Sequence, residues 1–583
     1  MRFFSKNTHT LIASCIWVII LFTTLVANLF IIPNITQSQV VFGTYDPLSV
    51  PNNKFGIHII QATPGESSPA ASLVNSSGGD WGYITFLIES KDRNESKWQE
   101  FFNDLRRRHL IPIVRLATKP VNEYWEVPYE KEYEAWADFL DKLNWPTKNR
   151  YVVVYNEPNH GKEWGNFVDP KSYAETLDKT ITALKIKNRD FFVLNGGFDA
   201  SAPSRPPLYE DQLKFMQQME ENVPGIFNKL DGWVSHSYPN PGFVGSPNDI
   251  SRGSVRTYIW ELQQLRNLGV SKNLPVFLTE TGWKHAEGIN YDPSLPSAET
   301  VAEYFSTAFT TVWNSRFIAA VTPFLLSYQQ APFDHFSFKK LDVPEYYSIF
   351  QTIADLPKNA GKPIQENLAQ LNQGEVYSSI VAGEVYAISL TFKNIGQSIW
   401  EDTVKLIPAF GGKDLGVESV ELQKGIKIEP GQEYTFNLNL KAPQSGTYKL
   451  VLNLFDGDKQ FDSKPTEFMT EVKSPVILRL KAALGWKSNH SGNYILNVKG
   501  PTGVSLQKIT LDENGASQEL EVKYLLPDYS FDFSLEKPYY IPKTIQQTLY
   551  TGVNILDFGT LKPDILSVLL VPKQLWKLLP FSN

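Results

Sequence analysis

Val152-Val153-Val154-Tyr155-Asn156-Glu157-Pro158-Asn159 starts as a β-branched apolar run and ends on a carboxylate. A run this short, closed by Asn and Pro, predicts a buried strand of a parallel sheet. Pro275-Val276-Phe277-Leu278-Thr279-Glu280-Thr281-Gly282-Trp283 repeats the pattern and also stops on a glutamate. Outward from these two, similar β-rich runs begin near Phe55, Trp81, Ile111, Phe191, Asp231 and Ala319. The quoted segments are then the fourth and seventh of eight. Their spacing of roughly 30 to 45 residues is that of βα units. Apolar residues recur at three and four over 97–108, 130–143, 171–186, 253–268 and 298–314, as on helices. Eight units over residues 51–358 predict a mixed α/β fold, a (β/α)₈ barrel. Residues 62–80, rich in Ser, Pro and Gly, leave room only for a short first helix.

After the barrel, 358–363 (Lys-Asn-Ala-Gly-Lys-Pro) reads as a linker, and from Val376 the pattern changes to strict alternation. Residues 376–473 therefore predict a small all-β sandwich, and 475–583 a further C-terminal β domain. Interruption by Pro572, Lys573, Lys577 and Pro580 makes the apolar tail at 565–581 a packing segment and not a membrane span.

At 583 residues the chain is long enough for about three domains. Lys plus Arg (55) against Asp plus Glu (62) gives a net charge of −7 with no long single-sign runs, which argues against nucleic acid as a partner. The single cysteine, Cys15, excludes disulfides and cysteine metal sites from the rest of the chain. The eight histidines lack metal-ligand spacing, and no glycine-rich phosphate loop precedes a helix, so neither a metal nor an organic cofactor is expected.

Residues 11–32 carry no Asp, Glu, Lys or Arg, and as a helix would extend roughly 33 Å, enough to span a bilayer core. Arg2 and Lys6 precede this stretch and no basic residue follows until Lys54, which predicts a cytoplasmic stub and single membrane anchor over 1–36 with the remainder extracytoplasmic. A cleaved signal peptide, releasing a secreted protein, is the competing expectation.

Residues at the carboxyl ends of barrel strands converge on one face, so Glu157 and Glu280 are expected to share a pocket. Paired carboxylates of unequal proton affinity suit cleavage of glycosidic bonds, one acting as general acid and the other as nucleophile. The segments Asn156-Glu157-Pro158 and Thr279-Glu280-Thr281-Gly282-Trp283 resemble those of the clan A glycoside hydrolases, retaining (β/α)₈ enzymes, over about residues 51–345. This resemblance implies that Glu157 is the acid/base and Glu280 the nucleophile. Asn156 is a candidate donor to the sugar 2-hydroxyl. Arg115 ends the third run and His236 and Tyr238 end the sixth, where they would orient or charge the nucleophile. Trp164 and Trp283 are candidate sugar-stacking rings, and His58 and Asn195 are candidates for lining the cleft. Where the clan places a tryptophan after the eighth strand, this chain has Phe324-Leu325-Leu326-Ser327-Tyr328, with Phe333, Phe336 and Phe338 beyond it. Tyr328 or one of these phenylalanines is expected to replace it. Asn394-Ile395-Gly396-Gln397-Ser398-Ile399-Trp400 resembles a segment of immunoglobulin-like modules. The expected substrate is a poly- or oligosaccharide. A non-catalytic glycan-binding or adhesion protein on the same scaffold, or a transglycosylase, are the alternatives.

Overall fold

The structure, a computed structural model, describes residues 43–441, 444–500 and 503–569. Eight parallel strands form the first unit: β1 (Gly56–His58), β2 (Gly82–Glu89), β3 (Leu110–Ala117), β4 (Arg150–Val154), β5 (Phe191–Asn195), β6 (Trp233–His236), β7 (Val276–Glu280) and β8 (Ile318–Val321). β1 to β5 make one sheet and β6 to β8 another. Parallel bridges Phe55–Val321 and Asp199–His236 join the two at both seams and close a barrel.

A helix follows every strand: α1 (Pro64–Val74), α2 (Glu95–Arg107), α3 (Glu132–Lys142), α4 (Pro170–Lys187), α5 (Gln212–Asn222), α6 (Thr257–Asn267), α7 (Ala298–Thr307) and α8 (Ser348–Asp355). Several starts are fixed by capping side chains: Asn94, Asp169, Asp211 and Ser297 each accept from a backbone N–H in the first turn. The first helix exceeds the sequence expectation. Despite Pro69 it runs 11 residues, because Ala70, Leu73 and Val74 bury on the barrel and Ser67 donates to Asp104. Tertiary burial outweighs poor local propensity there.

Strand alternation builds two cores. Tyr83, Ile113, Tyr151, Val153, Phe192, Leu194 and Phe277 fill the barrel interior, while Ile84, Phe86, Val152, Val154 and the helix faces form the outer layer. Each large side chain buried this way contributes about 1.5–3 kcal/mol.

Beyond the barrel, strands at Ala369–Gln373, Val385–Asn394 and Glu433–Lys441 form one antiparallel sheet, and a second sheet built around Gly446–Asp456 faces it across a core holding Trp400, Phe436 and Leu452. The third unit places Val476–Leu484 parallel to Gly552–Leu561 beside a four-stranded antiparallel sheet. Both are all β.

The linker expectation for 358–363 is corrected. Gly361 N donates to Asp80 O and Lys362 N to Pro51 O, and the buried Lys358 ammonium is held by the carbonyls of Ile353, Ala354 and Leu356. This segment is packed along the barrel's amino-terminal end. The same end holds the sandwich. Arg106 Nε donates to Gln397 O at 2.7 Å, Asn144 Nδ2 to Gly396 O at 2.9 Å, and Gln397 Nε2 to Thr147 O at 3.0 Å. Lys148 bridges Asp190 of the barrel and Glu366, each at 2.9 Å. The Asn394–Trp400 segment is thus the turn that meets the barrel, and a side chain on Gly396 would come within 2.4 Å of Glu366 O.

No helix among the described residues is long and apolar enough to cross a membrane. The anchor expected over 11–32, with Cys15, lies outside the described residues, as does most of the tail expected at 565–581.

Candidate active site

The chain leaves β4 through two non-glycine residues in the left-handed region, Tyr155 (φ 66°) and Glu157 (φ 29°). This conformation is costly for residues with side chains, and it is found where a site needs a particular aim. Here it turns Glu157 into the mouth at the carboxyl ends of the strands. Glu280, the last residue of β7, faces it, and the closest carboxylate oxygens of the two lie within 4.8 Å.

Glu280 is held from three sides. Arg115 Nη1 donates to its Oε1 at 2.5 Å, Tyr238 OH donates to Oε2 at 3.2 Å, and His236 Nδ1 stands 3.8 Å from Oε2. Burial alone would raise the carboxyl, but the charges of His236 and Arg115 and the tyrosine hydrogen bond outweigh it and hold Glu280 below the ordinary carboxylate range. His236 Nδ1 also lies 2.8 Å from Glu157 Oε1. The imidazole, though desolvated, is kept above its ordinary value by Glu280 and Glu157. It therefore bonds Glu157 and stands beside Glu280 as a neighbouring positive charge.

Gly197, after β5, makes this possible. A Cβ there would fall 2.2 Å from His236 Cδ2. Gly197→Ala is therefore expected to displace the ring and lower kcat/KM about 100-fold, the scale of an ångström-level misplacement. Steady-state kinetics beside a thermal melt would separate this from global unfolding.

The other sequence candidates divide. Asn156 accepts from Arg115 Nη1 at 2.8 Å and so belongs to the site. His58 is fully buried; its Nδ1 meets Thr279 O at 3.3 Å, its ring packs edge-on against Phe324, and its Nε2 has no hydrogen-bond partner. Burial lowers this imidazole to about 4, so it stays neutral. Nε2 is buried with the rest of the ring, so His58 packs beneath the site and presents no atom to the open cleft that the sequence reading expected it to line. Tyr328 lies at the rim, half-buried beside Phe333. Phe324, at the end of β8, is the ring that adjoins His58.

Three other expectations are corrected. Trp283 is 1% exposed, packs on Phe305 and Trp313, and donates its N–H to Gly245 O, so its ring is core and not a platform. Trp164, also 1% exposed, is wedged between Tyr155 and Tyr173. Asn195 gives both amide hydrogens to backbone, at Gly196 O and Val234 O, and accepts from Val234 N, which knits β5 to β6.

Three residues escaped the sequence reading. His160 stands with Nδ1 3.7 Å from Glu157 Oε2 and Nε2 2.8 Å from Asp199 Oδ2. Glu163 is half-buried and bonded to the Asn156 amide. Burial and the charge of Glu157 raise it to about 7. Asp199, near the start of the loop leaving β5, had a position just past the strand end as its signal; His160 and Glu163 sit in a loop whose course the sequence does not show.

Glu157, His236 and Glu280 are close enough to suggest a metal set. Arg115 holds one oxygen of Glu280, Tyr238 the other, and His236 an oxygen of Glu157, so the cluster is already held together by protein donors. The donor set fits a protein cation in place of a metal ion.

Fold and site together define a (β/α)₈ barrel with an acid pair at the ends of its fourth and seventh strands. Among solved structures the chain is similar to a family 39 glycoside hydrolase from Bacteroides cellulosilyticus (13% identity, TM-score 0.37, 69% of this chain and 83% of that one). It is also similar to a GH5_18 protein from Streptomyces cattleya solved with GlcNAc (14%, TM-score 0.38, 52% and 80%). A third is a GH128 endo-β-1,3-glucanase from Sorangium cellulosum (14%, TM-score 0.35, 52% and 97%). No family model and no curated protein matches the chain.

Proposed function

We propose that this protein is a retaining glycoside hydrolase that cleaves an O-glycosidic bond by double displacement. The separation of the two carboxylates carries this conclusion. An approach within 4.8 Å fits the roughly 5–5.5 Å of retaining sites and leaves no room for the water that inverting sites seat between carboxyls ~6.5–9.5 Å apart.

Glu280, kept ionised by Arg115 and Tyr238, attacks the anomeric carbon while Glu157 gives its proton to the departing oxygen, which keeps the electron pair of the broken bond. In the second step Glu157 takes a proton from water, the water oxygen attacks the anomeric carbon, and Glu280 leaves as carboxylate. The Asn156 amide would orient a sugar hydroxyl.

A panel of activated 2-fluoroglycosides with peptide mass spectrometry tests this and identifies the sugar. Labelling on Glu280 is expected. A label on Glu157 would reverse the roles, and sugar affinity without any label or turnover would favour the non-catalytic glycan-binding protein. On sequence alone we further propose that residues 11–32 anchor the chain with the barrel outside the cytoplasm; protease shaving of intact cells should then cut the barrel.

A further inference from the structure

The acid/base assignment of Glu157 leaves His160 and Asp199 without a role, although they continue the same network. From Glu280 the contacts run through His236 to Glu157 Oε1, then from Glu157 Oε2 to His160 Nδ1 at 3.7 Å, and from His160 Nε2 to Asp199 Oδ2 at 2.8 Å. Asp199 is fixed in turn: its Oδ1 accepts from Ser201 N at 2.7 Å, and its backbone bridges to His236. Tyr209 packs edge-on against the His160 ring, with centroids 5.0 Å apart, and bridges to it through backbone. The imidazole is therefore clamped in one orientation. With Nε2–H given to Asp199, Nδ1 is the nitrogen presented to Glu157. At 3.7 Å a slight rotation or one bridging water completes the contact.

We propose that His160, clamped by Asp199, is a positioning residue that shares a single proton with Glu157, so that the acid form of the site survives to higher pH than a lone carboxyl would allow. This rests on the hydrolase reading. As the glycosidic bond breaks, the shared proton, resting on His160 Nδ1, passes to Glu157 and from it to the departing oxygen, leaving Glu157 as carboxylate and His160 as neutral imidazole bonded to Asp199. In the second step the proton taken from water restores the pair, and the cycle closes without net gain or loss.

The surrounding charges agree in direction. Facing His160 are Glu157 and Glu163 from its own loop and Asp199 and Tyr209 from the loop after β5; facing Glu157 are His236, Tyr238, Glu280 and Glu163. Desolvation works against the imidazolium, but Asp199, Glu157 and Glu163 outweigh it and raise His160 above the ordinary histidine value. The Asp199 carboxyl, although half-buried, is held low by His160 and by Ser201. Two coupled groups lose their last proton at a higher pH than either would with the other neutral, so removing His160 must move the basic limb of the rate profile toward acid.

The test uses the full chain and His160→Gln, Asp199→Asn and Glu157→Gln, with phenyl and 2,4-dinitrophenyl glycosides of the sugar that the labelling panel identifies. For the phenyl glycoside, whose departure needs a proton, the basic limb of kcat/KM in His160→Gln should move down by about one pH unit, costing about tenfold at pH 8 and about twofold at pH 5. The dinitrophenyl glycoside leaves unaided and should change less than about threefold. Asp199→Asn should shift the limb in the same direction. Independently of substrate, histidine-selective ¹⁵N NMR of the free protein should show the His160 ring titrating above about 6.5 and moving down in Glu157→Gln. An unmoved basic limb in His160→Gln, with phenyl glycoside turnover lost in Glu157→Gln, would overturn the shared proton and leave the hydrolase standing. Turnover of the phenyl glycoside by Glu157→Gln at the wild-type rate would overturn both.

Discussion

Glu280→Ala is expected to lower kcat by on the order of 10⁴-fold or more on every substrate, whatever its leaving group, because no other carboxylate can reach the anomeric carbon from that side. The loss should not be one of folding. Glu280 is acceptor to Arg115 and Tyr238, and its removal relieves a crowded group of like charges formed with Glu157 and Glu163. Azide, small enough to enter the vacated space, should restore turnover with inversion at the anomeric centre. Azide rescue of Glu157→Ala should instead give a retained product. The opposite pattern would exchange the two assignments, and unchanged kcat in Glu280→Ala would remove the nucleophile from this mechanism.

The second large effect concerns stability. Arg106 is 1% exposed and gives its guanidinium hydrogens to Gln397 O, Asn103 Oδ1, and the carbonyls of Asn144 and Trp145. Arg106→Met keeps most of the volume and strands those acceptors away from water. A destabilisation of about 3 kcal/mol or more is expected, seen as a drop of about 5 °C in thermal midpoint. Arg107, whose pair with Glu429 is exposed, is the control: Arg107→Met should cost about 1 kcal/mol or less. Equal effects would mean that the seam between barrel and sandwich is not held by its buried cation.

How much of the fold and site is legible in the sequence depends on what the local pattern encodes. β4 and β7 can be read because an all-apolar run that stops on an acid fits a parallel sheet and little else. Arg115, His236 and Tyr238 follow from the same rule, since the carboxyl ends of barrel strands share a face. Trp164 and Trp283 mislead for a matching reason: an indole just past a strand looks alike whether it turns toward the mouth or toward the helices, and here both turn to the helices. Asn195 has the right position, but the seam between β5 and β6 claims its amide. His160 and Asp199 meet only because two loops cross, which no periodicity records. The stretch at 358–363 has the composition of a tether, and its backbone finds partners on Asp80 and Pro51 that only the closed barrel supplies.

Tyr45 meets Asn149 and Ile364 at the barrel's amino-terminal end, where Gln397 and Glu366 also attach. Both flanks of the catalytic unit therefore join it at one pole, opposite the opening. Were residues 11–32 to anchor the chain as proposed, a body held from its upstream side at that pole would turn its cleft away from the surface that holds it.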